Sequence, residues 1–168
     1  LFGLLTVGLS GMIITGDVFN LYVYLEIMSL SGYALIALGG RKSMLAAFRY
    51  LLIGTIGASL YLLGVGYLYA MTGTLNMADL AQLIIPHLHS PLFAMAVACF
   101  LIGFGIKAGF FPLFFWLPAS YHTASITIAA IFAGLLTKVG VYACFRVFSL
   151  LFEAGAGMRD VIAIMAAG

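Results

Sequence analysis

Residues 104–140 read FGIKAGFFPLFFWLPASYHTASITIAAIFAGLLTKVG, and the interpretation of this stretch decides the fold. Lys107 and Lys138 stand in apolar sequence long enough to lie within a bilayer, separated by Pro112, a Trp116-Leu117-Pro118 turn and His122. A lysine at the centre of a bilayer costs about 3 kcal/mol on insertion scales and more on others, so a chain that carries two has a use for them or a way to hide them. Pro112 lacks the N–H a helix needs, and its ring clashes with the preceding turn. The helix carrying Lys107 is therefore expected to run to Phe111 and break at Pro112, freeing carbonyls around residue 108 that need protein or water partners. The natural counter-charge for Lys107 is Glu26, the acid that lies deep in an apolar segment.

Composition agrees with a membrane reading. Of 168 residues, 65% are hydrophobic and 7% charged, and the mean hydropathy is +1.22. A soluble domain carries about 25% charged residues, so the expected fold class is all-α: a polytopic membrane helical bundle whose partner is the lipid bilayer. The net charge of +2 comes with no basic run, which excludes nucleic acid as a partner. Cys99 and Cys144 lie within apolar segments and read as small core residues. No spacing of ligands points to a metal or cluster, so no cofactor is expected in this chain. Nothing resembles a nucleophile triad or a phosphate loop, so no catalytic centre of its own is expected either. Spans are expected at about 1–15, 18–39, 44–71, 91–116 and 123–152, with the start of another at 160–168. The short last run and the Leu1 start read as a piece of a longer protein.

In the second span Tyr22, Glu26, Ser29 and Tyr33 fall at i, i+4, i+7 and i+11, so they share one helix face. A polar stripe on an otherwise apolar helix faces a bundle interior or a wet cavity. Asp17 caps this helix, and Glu26 follows it by nine residues, roughly 14 Å, near the bilayer middle. Thr127, Lys138, Tyr142 and Ser149 form a second shared face in the last long span, with Gly134 and Gly140 flanking Lys138. Gly54, Gly57, Gly64 and Gly66, and the Gly105–Gly109 pair, allow close helix approach. Met77 to Ile85 forms a short helix capped by Asn76. Arg41 and Lys42 mark a cytoplasmic loop, which puts 72–90 outside, 116–122 inside and 153–159 outside. Arg49 and Arg146 snorkel; His87 and His89 are loop residues, and His122 starts a helix or ends a loop.

Desolvation disfavours the charged form of a lysine, and a nearby carboxylate favours it. Such a group holds or releases a proton when its partner moves by a few ångströms. Glu26, Lys107 and Lys138 on three helices make a chain of groups of the kind that proton relays use, with Tyr22, Ser29, His122, Thr127 and Tyr142 available to hold water between them. A proline-interrupted helix beside a titrating residue is also what transporter sites use.

The stretches GDVFNLYVYLEIMSLSGYALIALG (16–39), YLYAMTGTLNMADLA (67–81), GIKAGFFPLFFWLPASYHTAS (105–125) and AGLLTKVGVYACFRVF (133–148) resemble the antiporter-like proton-translocating subunits. That family is shared by respiratory complex I, membrane-bound hydrogenases and Mrp-type Na+/H+ antiporters, and the details are most similar to the MrpD-like members of the Mrp type. The resemblance implies that Glu26 is the acid of the fifth helix, Lys107 its ion-pair partner on the discontinuous seventh, and Lys138 the lysine of the eighth that leads to the central hydrophilic axis. It implies one five-helix repeat with a Pro-broken helix, hence one half-channel of two inverted repeats. The family often has a Pro-rich start to the eighth helix; here it reads YHTASIT, and His122 takes no role from the resemblance.

Three functions are open at this point. The chain belongs to a multisubunit monovalent cation (Na+)/H+ antiporter of a prokaryotic cytoplasmic membrane, moving protons and exchanging Na+ alongside other membrane subunits. Alternatively it is the proton-pumping arm of an NADH:quinone oxidoreductase or membrane-bound hydrogenase. A membrane scaffold whose lysines only pair with neighbouring subunits is the third, and three charged residues at depth argue against it.

Overall fold

The computed structural model describes residues 1–151. The loop expected at 153–159 and the segment expected from 160 lie outside them. The described residues are helical throughout, in the order α1 (Phe2–Ile14), α2 (Val18–Ala37), α3 (Arg41–Thr72), α4 (Met77–Leu83), a 3-10 turn (Ile85–His87), α5 (Pro91–Ala108), α6 (Leu117–Thr123), α7 (Ile126–Ile131), a π-helical turn (Phe132–Leu136) and α8 (Thr137–Leu151). Among them, Val18–Ala37, Arg41–Thr72, Pro91–Ala108 and the continuous stretch Ile126–Ser149 are long and apolar enough to cross a membrane. The protein is a multi-pass integral membrane protein built from α-helices.

Local chemistry sets the helix starts. Asp17 Oδ1 accepts from the N–H groups of Phe19 and Asn20, both at 2.8 Å. Asn76 Oδ1 accepts from Ala78 N at 2.9 Å, and Ser90 Oγ from Phe93 N at 3.1 Å with Pro91 in the first turn. These caps satisfy donors that the first turn leaves orphaned. The two turns at Asp17 and Asn76 also pair with each other: Val18 N donates to Leu75 O at 3.0 Å and Met77 N to Gly16 O at 2.8 Å.

α3 lies between α2 and α5 and is antiparallel to both. Glycine lets α3 and α5 touch: a Cβ at Gly103 would come within 2.9 Å of Gly57 O, and one at Gly64 within 3.2 Å of Ala96 O. Gly57 and Gly64 thus do what close packing requires, whereas Gly66 faces open space. α8 crosses the far side of α5 at Gly140, whose missing Cβ would lie 2.7 Å from Ala108 N. Arg146 on α8 does not snorkel outward. Its Nη1 donates to Met12 O and Ile13 O, both at 2.9 Å, closing the last turn of α1 with a cation where helix carbonyls are unpaired.

The break in the fourth long span lies earlier than Pro112. α5 ends at Ala108, and Gly109 adopts the left-handed conformation at φ 72° while its N–H returns to Gly105 O. Phe110 N also bonds Gly105 O, at 2.9 Å. The cause is a glycine C-terminal cap, a conformation other residues adopt only with strain. Pro112 follows in a series of turns over 111–116, joined to Phe111 by a cis peptide bond. Most of 116–122, expected as an inner loop, lies in helix α6. Its end meets the α2–α3 turn, where the Ser43 hydroxyl donates to Thr123 O. Trp116 is buried, with its indole at the level of Ile106. α5 and α6 are therefore two helices separated by the turns that follow Gly109.

Candidate functional site

The interruption of α5 leaves Lys107 in its last turn, pointing at α2. Its ammonium Nζ lies 2.8 Å from Ser29 Oγ, 3.1 Å from Glu26 Oε1 and 3.4 Å from Tyr33 Oη. It also lies 5.9 Å from the centre of the Tyr33 ring. The three partners stand on successive turns of one α2 face, so the stripe read from the sequence is one wall of this site. The lysine side chain is 4% exposed and the glutamate 21%. The ammonium is thus enclosed, while its carboxylate reaches the edge of the bundle. A buried ammonium needs each of its three donors engaged, and this one has an acceptor for every hydrogen.

Aromatic rings close the side that faces the start of α3. Tyr33 meets Tyr50 edge-on at 4.5 Å, and Tyr50 stacks on Trp116 at 3.9 Å and 2°. The Trp116 indole N–H donates to Ile106 O at 2.8 Å. That carbonyl lost its helical donor when Phe110 N turned to Gly105 O, so the tryptophan satisfies a group that the helix break orphaned. Tyr22 stands one turn from Glu26, stacked on Tyr61 at 6.3 Å, and does not reach Lys107. Tyr61 in turn donates to Val18 O at 2.9 Å.

Lys138 is not part of this cluster. It is exposed on α8, and its Nζ donates to Ala133 O at 2.8 Å and lies 3.5 Å from Thr137 Oγ1. The π-helical turn just before it widens the helix there, and the ammonium takes up one of its carbonyls. The backbones of the two lysines are nonetheless close, because Gly140 packs on the backbone of Lys107 and Ala108. Thr127, Tyr142 and Ser149 are exposed as Lys138 is, on the outside of the described bundle. His122 is exposed, and Pro112 lies in the loop beyond the break. Among the described residues, no group of three or more His, Cys, Asp or Glu could hold a metal ion.

Tyr50, Trp116 and Thr137 complete the surroundings of the two lysines, and spacing in the sequence singles out none of them. Tyr50 and Thr137 belong to no polar pattern, and Trp116 has the look of an interface residue. A signal exists for Trp116: an indole N–H a few residues past a helix-breaking glycine is a ready donor to the carbonyls that the break frees.

The chain is thus a polytopic helical bundle with a lysine–glutamate pair inside it and an interrupted helix beside that pair. A family model described as NADH:quinone oxidoreductase/Mrp antiporter, TM matches residues 15–168. The chain belongs to that family. It is 51% identical over 165 residues to the N-type subunit of the NADH-quinone oxidoreductase of Desulforudis audaxviator, covering 98% of this chain and 33% of the relative. It is 43% identical over 165 residues to the D-type subunit of the Na(+)/H(+) antiporter of Alkalihalophilus pseudofirmus, covering 98% of this chain and 34% of that one. Among solved structures, it superimposes with a TM-score of 0.88 and 36% identity on a chain of the membrane-bound sulfane sulfur reductase (MBS), an archaeal respiratory membrane complex. That match covers 97% of this chain and 33% of the other. The chain thus spans about a third of the length of the curated relatives it matches.

Proposed function

We propose that this chain is part of a proton-conducting subunit of a multisubunit monovalent cation (Na+)/H+ antiporter, and that Glu26, Lys107 and Lys138 carry the proton. The observation that supports it is the enclosed Lys107 ammonium, held by a carboxylate that reaches the bundle edge. With Glu26 close, the ammonium is favoured; with Glu26 drawn away, a cation is left among apolar groups and its proton leaves toward Lys138. The relative named as part of a Na(+)/H(+) antiporter supports the exchange of protons against Na+, the company of other membrane subunits and a prokaryotic cytoplasmic membrane.

A second reading keeps the same residues and changes the drive. The relative at 51% identity is named as part of an NADH-quinone oxidoreductase, which favours a proton pump driven by electron transfer in cofactor-bearing partner subunits. In both readings the chain itself carries no cofactor. Iron content of the full-length protein purified with its native partners separates the two: stoichiometric iron–sulfur clusters support the pump, and an iron-free complex of membrane subunits supports the antiporter. The relay itself is tested by Lys107→Ala and Glu26→Gln in the full-length complex. Both variants assemble and lose nearly all proton translocation in vesicles; normal translocation in either one sinks the relay.

A further inference from the structure

Arg49 is a cation that the Glu26–Lys107–Lys138 relay does not use. It is exposed on α3 and, among the described residues, has no hydrogen bond or ion pair. With Leu52, Ile53, Phe115, Trp116 and Ala119 it lines a groove of about 340 Å³ between α3 and the start of α6. The other side chains of that lining are apolar, apart from the Trp116 indole N–H, which is already bonded to Ile106 O. A guanidinium carries five donors and no acceptor, so the groove offers an anion a partner and an apolar chain a bed.

Depth narrows the choice of occupant. α3 has 32 residues. That is about 48 Å of helix against a hydrocarbon core of about 30 Å, so roughly six residues at each end stand outside the core. Arg41 is the first residue of α3 and Arg49 the ninth. The Arg49 guanidinium, at the end of a long stem, thus reaches the level where headgroups meet acyl chains.

Charge narrows it further. Arg41 and Lys42 are exposed at the same end of α3, and Lys42 shares a face with Arg49 at i and i+7. No described acid stands at that end. Asp17 caps the opposite end of α2, Asp79 lies on α4 beyond the far end of α3, and Glu26 is paired with Lys107. Leu52 and Phe115, on the two walls of the groove, are exposed at 48% and 61%. An occupant with a negative head and an apolar tail satisfies both parts of the site at this depth.

We propose that the groove between α3 and α6 is a site for an anionic phospholipid, with its phosphate on Arg49 and an acyl chain along Leu52, Ile53, Phe115 and Ala119. The arginine fork takes two phosphate oxygens at once, and Lys42 adds charge two turns nearer the headgroup plane. Basic pockets between membrane helices hold anionic headgroups by the same chemistry. The lipid also lies against Trp116, the ring stacked on Tyr50.

The test uses the full-length protein with its native partners, stripped of lipid in detergent and returned to vesicles of phosphatidylcholine with or without phosphatidylglycerol. Phosphatidylglycerol retained after repurification is counted by mass spectrometry, and thermal unfolding is followed in both vesicles. Wild type is expected to retain phosphatidylglycerol and to unfold at a higher temperature in its presence. Arg49→Gln, at an exposed position with no described partner, folds and retains about fivefold less or lower still. Ala119→Leu fills the groove with every charge in place and also loses the lipid, whereas Arg41→Gln, at the helix start and outside the groove, loses little. Equal retention in Arg49→Gln and wild type overturns the site. Equal losses in Arg41→Gln and Arg49→Gln, with none in Ala119→Leu, reduce it to a diffuse field around the end of α3 and overturn it as well. A thermal shift given by inorganic phosphate in phosphatidylcholine vesicles and lost in Arg49→Gln assigns the arginine to a free anion instead of a lipid. Release of a membrane subunit from Arg49→Gln, with lipid retention unchanged, assigns it to a partner's acid.

Discussion

Gly54 on α3 leaves the space that the hydroxyl of Tyr33 on α2 occupies: a methyl group there would overlap that oxygen. The same hydroxyl lies 3.4 Å from Lys107 Nζ, so a glycine that touches no charged group still sets where one wall of the ammonium site stands.

Gly54→Ala is expected to push the Tyr33 hydroxyl off Lys107 and slow proton translocation several-fold. Tyr33→Phe removes the oxygen that clashes. If Gly54 acts through Tyr33, the double variant translocates no worse than Tyr33→Phe alone, which is the signature of coupled neighbours. Additive losses in the vesicle assay would separate the two residues.

The ion pair is unequally enclosed, and its two halves should respond unequally. Glu26→Gln leaves an ammonium at 4% exposure without its counter-charge and is expected to cost about 3 kcal/mol. Lys107→Met leaves a carboxylate that still reaches the bundle edge and costs about 1 kcal/mol. The double variant recovers most of the wild-type stability, because a neutral pair of similar volume has nothing to desolvate. Thermal unfolding of the full-length protein in lipid checks all three, and equal losses in the two single variants would contradict the burial asymmetry.

Trp116→Phe keeps a ring against Tyr50 but leaves Ile106 O without a donor. A loss of about 1–3 kcal/mol is expected, with faster amide hydrogen exchange in the last turn of α5. Unchanged exchange there would mean that the carbonyl finds another partner at no cost.

Two glycines of the last span make a controlled comparison. A Cβ at Gly140 meets the backbone of Ala108, so Gly140→Ala forces α8 away from α5 and is expected to cost about 1–3 kcal/mol. Gly134 faces open space, and Gly134→Ala is expected to be neutral or stabilising by up to about 1 kcal/mol. Thermal unfolding of the two variants side by side decides it.

Much of the fold is legible in the chain. Asp17 and Asn76 cap the helices they precede, and Ser90 caps α5 where Pro91 marks a first turn. The stripe of Glu26, Ser29 and Tyr33 holds Lys107 because helical spacing alone puts those side chains in one row. What stays hidden depends on competition between nearby signals. Gly109 and Pro112 both interrupt helices, and the left-handed glycine ends α5 before the proline is reached; in sequence the proline looks the stronger of the two. The direction of Lys138 depends on a π-helical turn, and one extra residue in a turn rotates everything after it in a way that fixed spacing does not reveal. Arg146 reads as snorkelling because its acceptors lie 133 and 134 residues away.

The gap between α5 and α6 has a mechanical consequence. A continuous helix transmits a tilt at one end to the other through its own hydrogen-bond ladder, but no rung joins these two halves. They are separate rods held together by the Trp116 indole on Ile106 O and by Leu117 packed on Gly109. A push on α6 from the α2–α3 turn therefore loads the indole and the rings stacked on it, Tyr50 and then Tyr33, before it bends α5. The lysine stands on the rod that does not have to move, and the hydroxyl against it belongs to the linkage that does.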